Sequence, residues 1–119
     1  MQALNRFNIR PADHIVVIDP VPYSDLQYIT GKSSFVVTDS GGLQKEAYFH
    51  KKSCITLRDE TEWGETLSSG WNVLAGSERE AILKAFHSIR HGAADMSEID
   101  FGNGHAGEII LDYVADHFT

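Results

Sequence analysis

Ser40-Gly41-Gly42 stands between an apolar, β-branched run, Phe35-Val36-Val37-Thr38, and a helical stretch that carries Glu46 about one turn further on. Serine beside paired glycines at a strand-to-helix turn is a composition suited to anions. The first backbone N–H groups of a helix lack intrahelical partners and lie at the positive end of its dipole. Glycines without Cβ let a bulky phosphate reach those groups, and the Ser40 hydroxyl adds a hydrogen bond. Glu46 faces a ligand seated at the helix start, where a carboxylate accepts hydrogen bonds from vicinal ribose hydroxyls. The pattern fits a nucleoside diphosphate, with phosphates on the glycines and ribose on Glu46. A tight turn capped by Ser40, with Glu46 on a solvated face, accounts for the same residues.

The elements that must position this turn are legible as an alternation. Residues 14–18, His-Ile-Val-Val-Ile, read as a strand buried on both faces and closed by Asp19-Pro20. Tyr23, Leu26, Gln27 and Ile29 follow at helical spacing, with Ser24 as a candidate N-cap and Gly31 as a stop. Residues 35–38 form a second strand, residues 43–50 a helix, residues 54–57 a third strand and residues 72–74 a fourth. An amphipathic helix then runs from Ser77, with Ile82, Leu83, Phe86 and Ile89 on one face and Ser77-Glu78-Arg79-Glu80 approximating a capping box. A loop over residues 91–104 leads to a last helix carrying Ile109, Ile110, Val114 and Phe118. Strands alternating with helices over such distances predict an α/β fold, a Rossmann-like parallel sheet with flanking helices. Ligands of these sheets bind at the carboxyl ends of the strands, where Pro20, the turn 39–42 and Arg58-Asp59 all fall.

The 119 residues hold one domain at most, burying roughly 60–70% of the unfolded surface. A formal net charge of −7, from 10 Lys+Arg against 17 Asp+Glu, argues against nucleic acid and against an anionic membrane surface as partners. Cys54 is the single cysteine, which excludes an internal disulfide and a cysteine-based zinc site and fits a reducing cytoplasm. No apolar stretch approaches the roughly 20 residues of a membrane span, and the start of the chain lacks a signal-peptide apolar region. His87 and His91 have i,i+4 spacing, but no third ligand is evident. A cytoplasmic protein without metal or cofactor is expected.

Three segments carry a family resemblance. Thr38-Asp39-Ser40-Gly41-Gly42-Leu43-Gln44-Lys45-Glu46-Ala47, then Arg58-Asp59-Glu60-Thr61-Glu62-Trp63, then Gly70-Trp71-Asn72-Val73-Leu74-Ala75-Gly76 resemble the non-hydrolysing UDP-N-acetylglucosamine 2-epimerases in order and spacing. The likeness runs from Ile18-Asp19-Pro20 to Phe101-Gly102-Asn103-Gly104-His105-Ala106. Through Gln44-Lys45-Glu46-Ala47-Tyr48-Phe49 and Trp63 it is nearest the branch acting on UDP-2,3-diacetamido-2,3-dideoxyglucuronate.

The resemblance implies most of the second, C-terminal domain of a two-domain glycosyltransferase-B-type fold that binds a UDP-amino sugar in its interdomain cleft; the alternatives are a stand-alone nucleotide-sugar-binding or interaction module without catalysis, or the donor-binding half of a glycosyltransferase. It implies Ser40, Gly41 and Gly42 on the diphosphate, Glu46 on the ribose, and uracil near Val21 and Leu26. Arg58 serves the phosphates or pairs with Asp59 or Glu62. Trp63 stands where better-known members carry a ligand-contacting arginine; it packs on the sugar or is buried at the start of a short helix. The family reaction removes the C2 proton, expels UDP and adds it back with the proton on the other face. Its carboxylates come from the first domain, and its phosphate-binding histidine lies in a His-Arg-Arg-Glu-Asn turn. None of His14, His50, His87, His91, His105 or His117 lies in such a motif. In the Rossmann strand order, one of the strands absent here lies between two that remain, which predicts exposed sheet edges, a rearranged sheet or a homo-oligomer.

Overall fold

A computed structural model of the protein describes residues 2–89 and 96–118. Among them three strands form one parallel sheet in the order β1-β2-β3, with β1 at Phe35–Thr38, β2 at Ser53–Thr56 and β3 at Asn72–Leu74. The register pairs Val36 with Cys54 and Val37 with Ile55, and Cys54 in turn with Asn72. The helices are α1 (Gln2–Arg6), α2 (Tyr23–Lys32), α3 (Gly41–Phe49), α4 (Gly64–Ser68), α5 (Arg79–Ser88) and α6 (Ala106–Phe118).

Strand β2 is central and buried at all four positions, so its alternate side chains serve two separate cores. Cys54 packs with Val36, Ala47 and Leu43 under α3. Ile55 points to the other face and packs with Ala75, Ala85, Leu57, Val73, Ile82 and Ile89 under α5. The sheet is thus covered on both faces, as a parallel sheet requires. Phe35 on β1 meets Phe86 of α5 edge to face at 5.5 Å, while its strand neighbour Val37 stays 47% exposed.

The predicted α/β alternation therefore holds from residue 35 onward. The predicted strand at residues 14–18 does not form: the segment has no regular structure, and Ile15, Val16, Val17 and Ile18 are all exposed. A strand exists only through a hydrogen-bonded neighbour, and among the described residues the sheet holds β1, β2 and β3, none of them paired with this segment. No strand lies beyond β1 among the described residues. Helix α2 begins after Pro22 rather than at Ser24 and runs through Gly31 to Lys32. Gly31 is there for proximity, since a Cβ on it would lie 3.1 Å from Nδ1 of His50. Helix α5 starts at Arg79 after Glu78 with no side-chain cap, so the approximate capping box at Ser77 is not formed.

The segment after α5 is strapped back over α3. Trp71, buried beside Tyr48 in an edge-to-face contact at 5.3 Å, donates from Nε1 to the Ser97 carbonyl at 2.9 Å. The Tyr48 hydroxyl donates to the Ile99 carbonyl at 3.1 Å and accepts from the Ile99 amide at 2.8 Å. Helix α6 continues from there and buries none of its residues. The resulting radius of gyration is 18.0 Å, against about 13–14 Å for a compact domain of this length.

Cys54 is 1% exposed. Burial pushes its thiol up to about 11 from 9.0, offset only in part by the Thr56 hydroxyl. A raised folded-state value stabilises the fold fully below the unfolded thiol's titration and loses that contribution as pH climbs through the folded one. Between about pH 9 and 11, urea unfolding is expected to show a loss of roughly 2–3 kcal/mol that Cys54→Ala lacks. Equal pH slopes for the two proteins would contradict this.

Candidate functional site

The turn between β1 and α3 is built by side-chain bonds to its own backbone. The Thr38 hydroxyl accepts from the Ser40 amide at 3.0 Å, and Ser40, in extended conformation, caps α3 by accepting from the Leu43 amide at 3.5 Å. The two glycines differ in what requires them. A Cβ on Gly41 would collide with the Glu62 carboxylate, whereas a Cβ on Gly42 would meet only the Ser40 hydroxyl, at 4.0 Å. Gly42 is exposed and helical, a position where glycine costs about 1 kcal/mol relative to alanine. Nothing in the packing explains why it lacks a side chain.

Beneath the turn lies a network of buried and half-buried polar groups bonded to one another. Gln44 donates from Nε2 to the Ser40 carbonyl at 3.3 Å. Its Oε1 accepts from the Thr61 hydroxyl at 2.6 Å and from Nδ2 of Asn72 at 3.0 Å. Asn72 uses Nδ2 again toward the Thr66 hydroxyl at 3.2 Å, and its Oδ1 accepts from Thr56 at 2.7 Å. Thr61 in turn accepts from the Trp63 amide at 3.1 Å, and Thr66 donates to the Trp63 carbonyl at 2.7 Å. Among the described residues, no buried side-chain nitrogen or oxygen lacks a partner.

That network presents Trp63 and its neighbours to the helix start. Trp63 is half-buried immediately before α4, and its indole Nε1 donates to the Gly41 carbonyl at 2.9 Å. The Lys45 ammonium lies between two aromatic faces, 4.3 Å from the Trp63 ring and 4.5 Å from that of Phe101. Arg58 pairs with Glu62 at 3.1 Å, not with Asp59. Asp59 instead packs against Gly76, whose φ of +59° is in the left-handed region.

Glu46 points along the outer face of α3 toward α2. It accepts from Nε2 of Gln27 at 2.8 Å, and Gln27 presents its Oε1 to Nε2 of His50 at 2.7 Å, so that ring nitrogen is the donor. The Tyr23 hydroxyl titrates above the ordinary tyrosine range, first because burial removes hydration and then because the Glu46 carboxylate lies beside it and accepts its hydrogen bond. Val21 and Leu26 line one open depression with Ile18, Asp19 and Pro20. The structure therefore gathers Ser40, Gly41, Gly42, Arg58 and Trp63 around one helix start. It places Val21 and Leu26 together beside α2, and Glu46 joins the two groups through Gln27. His87 is exposed on α5, and its candidate partner His91 lies outside the described residues.

The model of the family described as UDP-N-acetylglucosamine 2-epimerase matches residues 2–115. This chain belongs to the UDP-N-acetylglucosamine 2-epimerase family. A Pseudomonas aeruginosa protein named UDP-2,3-diacetamido-2,3-dideoxy-D-glucuronate 2-epimerase is 41% identical over 102 residues, which are 85% of this chain and 28% of that protein. A UDP-N-acetylglucosamine 2-epimerase homolog of Methanococcus maripaludis is 40% identical over 104 residues, covering 87% of this chain and 29% of that one. The structure of the Methanocaldococcus jannaschii UDP-GlcNAc 2-epimerase in complex with UDP-GlcNAc and UDP aligns with a TM-score of 0.80 at 34% identity, over 97% of this chain and 33% of that one. The chain spans about a third of the length of these epimerase relatives.

Sequence reasoning passed over four polar residues that build this epimerase-family turn: Gln44, Thr61, Thr66 and Asn72. Gln44 carried a signal, since it lies on α3 between Leu43 and Ala47, the helix residues that pack beneath the sheet. A polar residue in such a place needs a dedicated partner. Asn72→Leu keeps an approximate volume but leaves the Thr56 hydroxyl without its acceptor, at roughly 1–3 kcal/mol, and removes one of two bonds at Gln44 Oε1 and at the Thr66 hydroxyl, at about 1 kcal/mol each. Urea denaturation is expected to show a loss of about 3 kcal/mol or more, with Trp63 fluorescence shifting as its turn loosens. A loss below about 1 kcal/mol would show that the network is not holding the turn.

Proposed function

We propose that this chain is the UDP-binding part of a UDP-N-acetylglucosamine 2-epimerase, an isomerase that inverts C2 of a UDP-amino sugar by eliminating and re-adding UDP. In this reading it corresponds to part of the C-terminal domain of a two-domain enzyme of the cytoplasm, serving surface-polysaccharide precursors. The observation that carries it is Gly42. Its missing side chain is unexplained by packing and leaves the start of α3 open to an anion. The complex of the Methanocaldococcus jannaschii relative with UDP-GlcNAc and UDP supports the same ligand class.

Each residue of the turn has a physical task in this reaction. The unpaired amides at the start of α3 and the Ser40 hydroxyl stabilise the diphosphate, whose charge rises as the bond to C1 breaks, and hold UDP for its return. Glu46 keeps acceptor capacity beyond its bonds to Gln27 and Tyr23, since an ionised carboxylate accepts at about four sites; ribose hydroxyls take the remainder. Val21 and Leu26 flank the uracil, Leu26 by packing rather than stacking. Trp63 fixes the Gly41 carbonyl and offers its edge to the sugar. The groups that move the C2 proton belong to the other domain of the family fold.

Calorimetric titration with UDP tests this directly. Gly42→Ala is expected to raise stability by up to about 1 kcal/mol while weakening UDP binding at least tenfold, because the new methyl stands where the phosphate approaches. Glu46→Ala is expected to weaken it by about tenfold, the loss of one charge-assisted hydrogen-bonded contact. A folded chain that gives no heat with UDP, both as wild type and with the Glu62 charge removed, would count against the reading.

The partner proposal rests on the exposed apolar residues 15–18 and on β1 having no strand beyond it among the described residues. Sheet edges and exposed apolar surface associate, and the chain pairs with the remainder of the family fold or with another copy of itself. Light scattering across a dilution series is expected to show a dimer that dissociates on dilution or on addition of that remainder. A monomer at every concentration would contradict self-association.

A further inference from the structure

The carboxylate of Glu62 stands at the mouth of α3. A Cβ on Gly41 would fall on its Oε1, and because side chains tilt toward the start of a helix, this puts the carboxylate on the amino-terminal side of the first helical residue. It is held there from both sides. Thr61 before it is anchored to Gln44 at 2.6 Å, and Trp63 after it to the Gly41 carbonyl at 2.9 Å. Its hydrogen bond comes from Nη1 of Arg58, with the two side chains 37% and 51% exposed. An internal anion thus already stands beside the first residue of α3, and the Arg58 guanidinium is engaged by it. Lys45 is turned away onto the rings of Trp63 and Phe101.

Resting on the reading of this turn as a diphosphate site, we propose that Glu62 sets the affinity of the site as a displaceable counter-anion: an arriving diphosphate expels its carboxylate from the mouth of α3 and takes over Arg58. A carboxylate and a phosphate a few ångströms apart repel strongly where water is partly excluded. The planar guanidinium matches a phosphate as well as a carboxylate, so the exchange keeps its hydrogen bonds. Glu62 swings outward without breaking the buried network, because only its backbone neighbours are tied to Gln44 and Gly41.

The exchange predicts opposite signs for the two halves of one ion pair. UDP and pyrophosphate are titrated into the wild type, Glu62→Gln, Arg58→Gln and the double variant, at low and high salt, with folding checked by circular dichroism. Glu62→Gln is expected to bind about tenfold more tightly, Arg58→Gln about tenfold more weakly, and the double variant near the wild type, with all differences shrinking at high salt. Binding by Glu62→Gln where the wild type is silent also supports the proposal. If both single variants weaken binding alike, the pair only braces the turn and the proposal falls. Wild-type binding unchanged in Glu62→Gln overturns it while leaving the diphosphate reading intact. Folded wild type and Glu62→Gln that bind neither ligand overturn both.

Discussion

The amide of Asn72 is the interaction on which the rest of this structure depends. It joins β3 to β2 through Thr56, to α3 through Gln44 and to α4 through Thr66. Each of its hydrogen-bonding atoms is matched, and a buried amide is costly only when it is not. An apolar residue here would fill the space without specifying which turn lies over it. The amide admits one arrangement, in which Thr61 and Thr66 bring the backbone of Trp63 to a fixed place and Gln44 holds the Ser40 carbonyl.

From that constraint follows the character of the helix start. The indole of Trp63 is bonded to Gly41 rather than buried in a core, and it turns a ring toward Lys45. Glu62, carried on the same turn, is brought against Gly41 with Arg58 in attendance. A single polar cluster under the sheet edge thereby decides which charges surround three residues at its surface. The electrostatics of this turn are set by Glu62, Arg58 and the aromatic clasp on Lys45.

The molecule is asymmetric in how well it covers its own apolar surface. Two small cores flank β2, while Val16, Ile18, Val37, Ile110 and Leu111 lie exposed. The relatives are about three times as long, and residues 14–18, rich in β-branched side chains, have the composition of a strand without a strand neighbour among the described residues.

How much of this was legible in the chain alone can be read from particular residues. The runs at 35–38, 54–57 and 72–74 appear as strands within a residue, because short β-branched runs bounded by turns have few alternatives, and Ser40-Gly41-Gly42 marks its turn through local backbone chemistry. The run at 14–18 has the same composition and forms no strand, since pairing is a property of two segments and composition reports only one. Residues 40–46 share a turn by covalent spacing, so their meeting was evident from the order of residues. The meeting of Glu62 with Gly41, of Gln27 with Glu46 and of Asn72 with Gln44 joins residues far apart in the chain. Only the crossing of strands and helices brings them together, and it is there that the charge around the helix start is decided.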